Sequence, residues 1–361
     1  MKKIVAFHLY NDFSGSPKAL RTVLEGLLAD GYSVDLYTSK GGVLDCLAEY
    51  ENCRVVHCRY RFTENKIKTI LRFFLAQITI FLKALKYLFG KDCVFYINTI
   101  MPVGAALAGR MMGKKVVYHY HENAHIKGGM YSILCRFMEK LADKIMCVSE
   151  YQSSFLKRSD DVFVIPNALE LSFMEQLKPD VDKAFEARTV LMLASLKTYK
   201  GLVEFFQLAM MNKELKFVAV INDTSDNIEE FIRVNGIEVP ENMTYHSRQS
   251  NVAQFYNAAS ISLNLSKKRE VVETFGLTAL EAMSCALPVI VPTVGGIAEM
   301  VEDGVNGYKI DAENLGEISS TIARIFQDKA LYCTLAGNSL TKSKEFALRR
   351  TINQIESVLN G

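Results

Sequence analysis

Glu273 and Glu281 stand eight positions apart around a Phe-Gly step, in the segment Glu273-Thr-Phe-Gly-Leu-Thr-Ala-Leu-Glu281. Two carboxylates at that spacing could accept hydrogen bonds from hydroxyls at both ends of one ligand. The residues that follow, Ala282-Met283-Ser284-Cys285-Ala286-Leu287-Pro288-Val289-Ile290, predict an amphipathic helix that closes before Pro288 and then a buried strand. Phe275, Gly276, Leu277 and Thr278 thereby fall at a helix N-terminus, where backbone N–H groups lack intrahelical partners and the macrodipole is positive. Such an end takes a phosphate or a sugar hydroxyl, and Gly276 lets a ligand approach the backbone closely. Glu273 lies in the entry loop and Glu281 about two turns into the helix, on broadly the same side. The set suits a nucleotide diphospho-sugar; taken alone, the spacing arises by chance often and favours two surface glutamates on a solvated helix.

Further candidates sit where apolar runs end. Val116-Val117-Tyr118-His119-Tyr120-His121-Glu122-Asn123 closes a predicted strand on a His-Glu pair, at the carboxyl end where α/β sheets place their chemistry. His119, two residues before His121, reads as a packed neighbour. Ala194-Ser195-Leu196-Lys197-Thr198-Tyr199-Lys200-Gly201 follows another strand, and its lysines can neutralise phosphate as point charges or simply face water. In Asn11-Asp12-Phe13-Ser14-Gly15-Ser16-Pro17, Ser14 or Ser16 is placed to cap a helix, with Pro17 early in its first turn. A G-x-G-x-x-G fingerprint is absent, which counts against a nicotinamide enzyme.

Positioning these residues takes two cores. The chain has 361 residues, 49% of them hydrophobic, which exceeds the usual single-core size. Apolar runs at Ile4–Leu9, Val34–Thr38, Val94–Asn98, Val116–His119, Ile145–Val148 and Phe163–Ile165 alternate with helical stretches. After a charged segment containing Pro179 the cycle restarts at Val190–Ala194, Phe217–Ile221, Met243–His246, Ile261–Leu265 and Val289–Val291. This is the α/β pattern of two doubly wound, Rossmann-like domains, expected to face each other across a ligand-binding cleft. The expected division is residues 1–170, a connection at 171–188, a second domain at 189–339, and a helix at 340–361 that packs on either domain. A net charge of +2 argues against nucleic acid as a partner. Eight cysteines with no C-x-x-C pair read as buried reduced thiols of a cytoplasmic protein, and Met1–Phe7 reads as a first strand rather than a signal peptide.

With Gly295-Gly296-Ile297-Ala298-Glu299-Met300-Val301 and Asp303-Gly304-Val305-Asn306-Gly307-Tyr308 following, the stretch from Ser266 to Tyr308 resembles the donor-binding half of the retaining GT-B glycosyltransferases of family 4, the group 1 type. Weaker echoes run along nearly the whole chain. The resemblance implies a nucleotide-sugar donor bound by the second domain, an acceptor lodged against the first, and a C-terminal helix crossing back to the first. It assigns Glu281 to the ribose, Glu273 to the transferred sugar, Lys200 and the amides near Gly276 to the leaving diphosphate, and His121 to the anomeric centre. Gly15 is what remains of the family's glycine-rich loop. Ser195 occupies the position of the family's diphosphate arginine, and Lys197 is a neighbouring substitute. The implied catalytic set is His121, Glu273 and Lys200; the donor set is Gly15, Ser195, Lys197, Lys200, Phe275, Gly276, Leu277, Thr278 and Glu281. Retention by same-face attack needs no protein nucleophile. No metal or other cofactor is expected, since an Asp-x-Asp site typical of metal-dependent transferases is not read here. Two alternatives stay open: another GT-B enzyme, such as an epimerase or a phosphorylase, and a catalytically silent nucleotide-sugar-binding partner subunit.

Between Lys66 and Phe89, apolar residues recur at helical spacing while Lys68, Arg72, Lys83 and Lys86 fall within one sector of the helical wheel. The longest uncharged run, Phe73 to Leu82, is too short to span a bilayer. The pattern predicts an interfacial helix at an anionic membrane surface, on the inner face of the plasma membrane, or a core helix with its cations at the rim. The first reading points to a lipid-linked glycan acceptor in bacterial surface polysaccharide assembly.

Overall fold

A computed structural model describes residues 2–60, 65–90 and 93–361. The chain divides into two compact units, one of residues 1–168 with 348–361 and the other of residues 169–347. The first unit holds β1 (Lys3–Phe7), β2 (Ser33–Thr38), β3 (Cys53–His57), β4 (Cys93–Asn98), β5 (Lys115–Tyr120), β6 (Lys144–Cys147) and β7 (Val162–Val164). These form one parallel sheet in the order β3-β2-β1-β4-β5-β6-β7. The second unit holds β8 (Thr189–Ala194), β9 (Lys216–Ile221), β10 (Met243–His246), β11 (Ile261–Leu263), β12 (Val289–Val291) and β13 (Gly307–Lys309), parallel in the order β10-β9-β8-β11-β12-β13.

Strand alternation divides the first unit's core in two. Val5 and Phe7 face one helical layer, and Ile4 and Ala6 face the other. On the Ile4 side lie α1 (Gly15–Ala29) and the helix Leu348–Asn360, which buries Ile352, Ile355 and Val358 among Leu20, Leu24 and Leu27. On the Val5 side lie α2 (Lys66–Ala84) and α3 (Val103–Met111). These two approach closely because Gly104 meets Gln77, whose side-chain oxygen accepts from the Gly104 N–H at 2.9 Å.

α2 is begun by Asn65, whose side chain accepts from the Lys68 N–H at 3.1 Å, and it buries only a narrow stripe of Phe73, Ala76, Ile80 and Ala84. Ile67, Leu71, Phe74, Leu75, Ile78 and Leu82 on its other side are each more than half exposed. The four cations do not form one outward stripe. Lys68 and Arg72 are exposed, but Lys83 donates to the His57 carbonyl at 3.1 Å and Lys86 pairs with the buried Asp35 at 3.6 Å over the Tyr87 ring. Among the described residues no helix is long and apolar enough to cross a membrane. Among the described residues no cysteine is in a disulfide, and six of the eight are buried.

Other elements also depart from expectation. The stretch 171–188 is not a connection: it contributes helices Leu171–Met174 and Val181–Ala187 to the second unit, with the Phe185 ring 5.2 Å from that of Tyr332. The single helix expected from 340 is two, Lys329–Ser343 in the second unit and Leu348–Asn360 in the first. β3 and β13 were not foreseen, because β3 is a sheet edge with Arg54 and His57 exposed and β13 is only three residues long.

In each sheet the strand order reverses once, between β1 and β4 and between β8 and β11. Loops leaving neighbouring strands at such a reversal part and open a crevice at the carboxyl edge. The second reversal depends on Gly201, at φ 77°, where an added Cβ would collide with the carbonyl oxygen of Leu265. Gly201→Ala is therefore expected to destabilise the protein by about 2 kcal/mol or more. Gly31→Ala, at φ 83° with open space around it, should cost only about 1 kcal/mol. Urea midpoints at constant m-value measure both, and equal losses would refute the close approach.

Candidate functional site

The second unit's reversal carries the Lys200 and Glu273 singled out by sequence. β8 ends at Ala194, and the loop passes Ser195 and the exposed Lys197 into a short turn that delivers Lys200 onto Glu273, with which it forms an ion pair. Ser266, from the loop after β11, donates its hydroxyl to the same carboxylate at 2.7 Å. Burial alone would raise the Glu273 carboxyl. The Lys200 ammonium, with Ser266 and Asn264, outweighs it and holds the group below the usual glutamate range. The Glu273 carbonyl accepts from the Gly296 N–H at 2.9 Å, and Gly295 sits against it at φ 110° where a Cβ would clash. The Gly295-Gly296 turn and the Glu273 loop are thus one construction.

Gly276, at φ 98°, precedes the helix Leu277–Ser284, so the amides of Leu277 and Thr278 fall in its first turn. The Phe275 side chain is buried 5.7 Å from the Phe346 ring, so at this position only the backbone is offered to a ligand. Glu281 is half-buried and accepts from the Tyr256 hydroxyl at 2.6 Å, which orients the carboxylate.

The first unit's reversal gathers a different set. Asn98 closes β4, and its amide lies 2.9 Å from His8 and 2.9 Å from His121, which follows β5. Burial pushes His8 down to about 4 and His121 well below the ordinary histidine value. His119 is fully buried, bonded to the Tyr96 hydroxyl at 2.6 Å and pushed down to about 3 by desolvation. Glu122 accepts from the Ile100 N–H at 3.2 Å, and burial raises its carboxyl. Between them Thr99 adopts φ 72°, a strained conformation for a β-branched residue. Gly15 is exposed as the first residue of α1, and Ser14 before it gives its hydroxyl to Asp12 instead of capping the helix.

Sequence reasoning passed over Asn98, His8, Ser266, Asn264 and Tyr256. The signal for Asn98 was a polar residue ending the apolar run Val94–Asn98 at a strand that borders the reversal. It also passed over Asp180-Val181-Asp182, which does spell Asp-x-Asp. Asp180 accepts from the Lys183 N–H at 3.0 Å as a helix cap, and Asp182 pairs with Lys329 at 2.7 Å.

Comparison with known proteins bears on the family and the fold. The family model "Glycosyl transferases group 1" matches residues 173–340, and "Glycosyltransferase Family 4" matches residues 13–173. Among curated proteins, the N-acetyl-alpha-D-glucosaminyl L-malate synthase of Bacillus anthracis is 22% identical over 286 residues, 73% of this chain and 74% of that protein. Among solved structures, Anabaena Alr3699/HepE in complex with UDP and glucose is 18% identical with a TM-score of 0.81, covering all of both chains. WaaG, a glycosyltransferase involved in lipopolysaccharide biosynthesis, is 15% identical with a TM-score of 0.71, covering 99% of this chain and all of that one. The two parallel-sheet units are those of the GT-B fold.

The ion pair makes a pH prediction. In wild type the depressed Glu273 carboxyl contributes stability above the ordinary glutamate range, and this is lost as pH falls through its folded value. In Lys200→Met the cation is gone and burial raises the carboxyl, which is then destabilising at neutral pH. The stability gap between wild type and Lys200→Met should be widest near neutrality and narrow on acidification. A gap that stays constant between neutrality and the ordinary glutamate range would overturn the pairing.

Proposed function

The chain belongs to the GT-B glycosyltransferases of group 1 and family 4, and on that premise we propose that it is a retaining enzyme moving a sugar from a nucleotide diphospho-sugar to an acceptor hydroxyl. The observation that carries the donor half is the Lys200–Glu273 pair beside the Gly276 helix start, which puts a cation, a carboxylate and first-turn amides at one crevice. Lys200 and those amides stabilise the departing diphosphate, whose charge grows in the transition state. Glu273 receives a hydroxyl of the transferred sugar and Glu281 the ribose. That Alr3699/HepE binds UDP and glucose supports a uridine nucleotide as donor. Ser195 leaves the arginine position unfilled, and Lys197, exposed two residues on, supplies the second cation. The leaving phosphate accepts the acceptor proton, so transfer retains the anomeric configuration and requires neither a protein nucleophile nor a metal.

Glu281→Ala should weaken donor binding by about 1.5–3 kcal/mol, because a ribose hydroxyl loses an anionic acceptor. Lys200→Ala should lower turnover by roughly a hundredfold or more. Calorimetry with a panel of nucleotide sugars and NMR of the product anomer, with EDTA present throughout, measure these. Binding without transfer or donor hydrolysis would favour the silent-partner reading; an inverted product would remove the retaining mechanism.

For the acceptor, a lipid-linked glycan in bacterial surface polysaccharide assembly is supported by α2. It exposes six large apolar side chains that are each more than half accessible, carries Lys68 and Arg72 beside them, and contains no acidic residue. Leu107 and Met111 of α3 and Ile133 and Phe137 of the helix Gly129–Leu141 are also exposed. WaaG's part in lipopolysaccharide biosynthesis points the same way, whereas the malate synthase's name favours a small hydroxy acid as acceptor. The protein then works in the cytoplasm, peripherally on the inner face of the plasma membrane. Wild type should float with anionic vesicles, while Phe74→Glu with Ile78→Glu, both at exposed positions, should not and should keep donor affinity. If wild type ignores anionic and neutral vesicles alike, the small-acceptor reading prevails.

A further inference from the structure

Asn98 is fully buried at the carboxyl end of β4, and its orientation follows from a neighbour that can only accept. The Ser16 carbonyl lies 3.3 Å from the Asn98 side-chain nitrogen, which fixes the NH2 on that side. The same NH2 donates to His8 Nδ1 at 2.9 Å, so His8 carries its proton on Nε2 and gives it to the Tyr10 carbonyl at 2.8 Å. On the opposite side the amide oxygen can only accept. His121 Nε2, 2.9 Å from that oxygen, must therefore be the protonated nitrogen. Burial keeps both rings neutral, which leaves the lone pair of the His121 ring on Nδ1.

We propose that Asn98 is a positioning residue that locks His121 as the Nε2–H tautomer, through a chain of hydrogen bonds that begins at the Ser16 carbonyl. The proposal rests on the place at the anomeric centre that the family resemblance implies for His121 and goes beyond it by naming the proton's location and the residue that imposes it. The chain crosses the strand-order reversal, joining the α1 start, β4 and β5.

Selective 15N-histidine labelling with long-range imidazole correlation spectra tests the tautomer directly, the His121 signals being assigned by their loss in His121→Gln. Wild type should show the Nε2–H pattern for His121. An Nδ1–H pattern or an imidazolium at neutral pH overturns the proposal even if no variant folds. Asn98→Leu should give mixed tautomers and lower kcat at least tenfold with the donor KM within twofold. Asn98→Asp, which in either ionisation state can turn an oxygen toward Nε2–H, should restore the single tautomer and most of kcat. A purely structural Asn98 would lower the melting temperature in both variants with no difference in tautomer or kcat between them, which refutes the positioning role. If His121→Gln itself leaves kcat unchanged, the histidine's part in transfer fails, and the spectra separately decide whether Asn98 sets its tautomer.

Discussion

Parallel strands cannot be joined by tight turns, so each must be followed by a crossing over one face of the sheet, and wherever successive crossings change face two neighbouring loops separate. This chain makes that change once in each sheet, between β1 and β4 and between β8 and β11. Lys200, Ser266 and Glu273 come together at one reversal and His8 and Asn98 at the other, with His121 beside them from the next strand. Glycines at 201 and 295 let the second set of loops close up, because any side chain there would meet a backbone carbonyl.

The two clusters solve burial in opposite ways. In the second unit a charge is kept, since Lys200 and two neutral donors outweigh the desolvation of Glu273. The Lys200 ammonium is thus already engaged by an anionic partner. In the first unit charge is given up: His8, His119 and His121 are all driven toward neutrality, and an amide or a phenol bonds one ring nitrogen of each. A neutral, directional network suits the reading of a ligand's hydroxyls; a retained charge suits the neutralisation of phosphate.

How much could be read beforehand follows the range of the interactions. Glu273, Gly276 and Glu281 were legible because one loop and one helix carry them all, and the local pattern that makes the helix also spaces the groups. Lys200 was legible as a lysine before a glycine after a strand, but its contact with Glu273 spans 73 positions and no periodicity encodes it. Asn98 and Tyr256 were missed for the same reason, since each acquires meaning only from a partner more than twenty positions away. The cations of α2 and of the turn after it show the limit of a local pattern. A helical wheel places Lys83 and Lys86 with Lys68 and Arg72, yet it knows nothing of Asp35 on β2 or of the His57 carbonyl at the end of β3. The apolar side of the same helix was legible as a pattern, but how much of it a neighbour would cover was not.

The helix Leu348–Asn360 belongs to the first unit although the whole of the second separates it from the rest. Its Ile352 lies against Gly26, Arg349 pairs with Asp30 at 2.7 Å, and Lys115 donates to the carbonyl of Val358 at 2.9 Å. During synthesis the first sheet and α1 leave the ribosome with this seat empty, and at roughly 5–20 residues per second they wait on the order of ten to thirty seconds for it to be filled. Through that interval Leu20, Leu24 and Leu27 lack their partners on one side of the nascent unit. Of the two units, the one that begins first is thus the later to be completed.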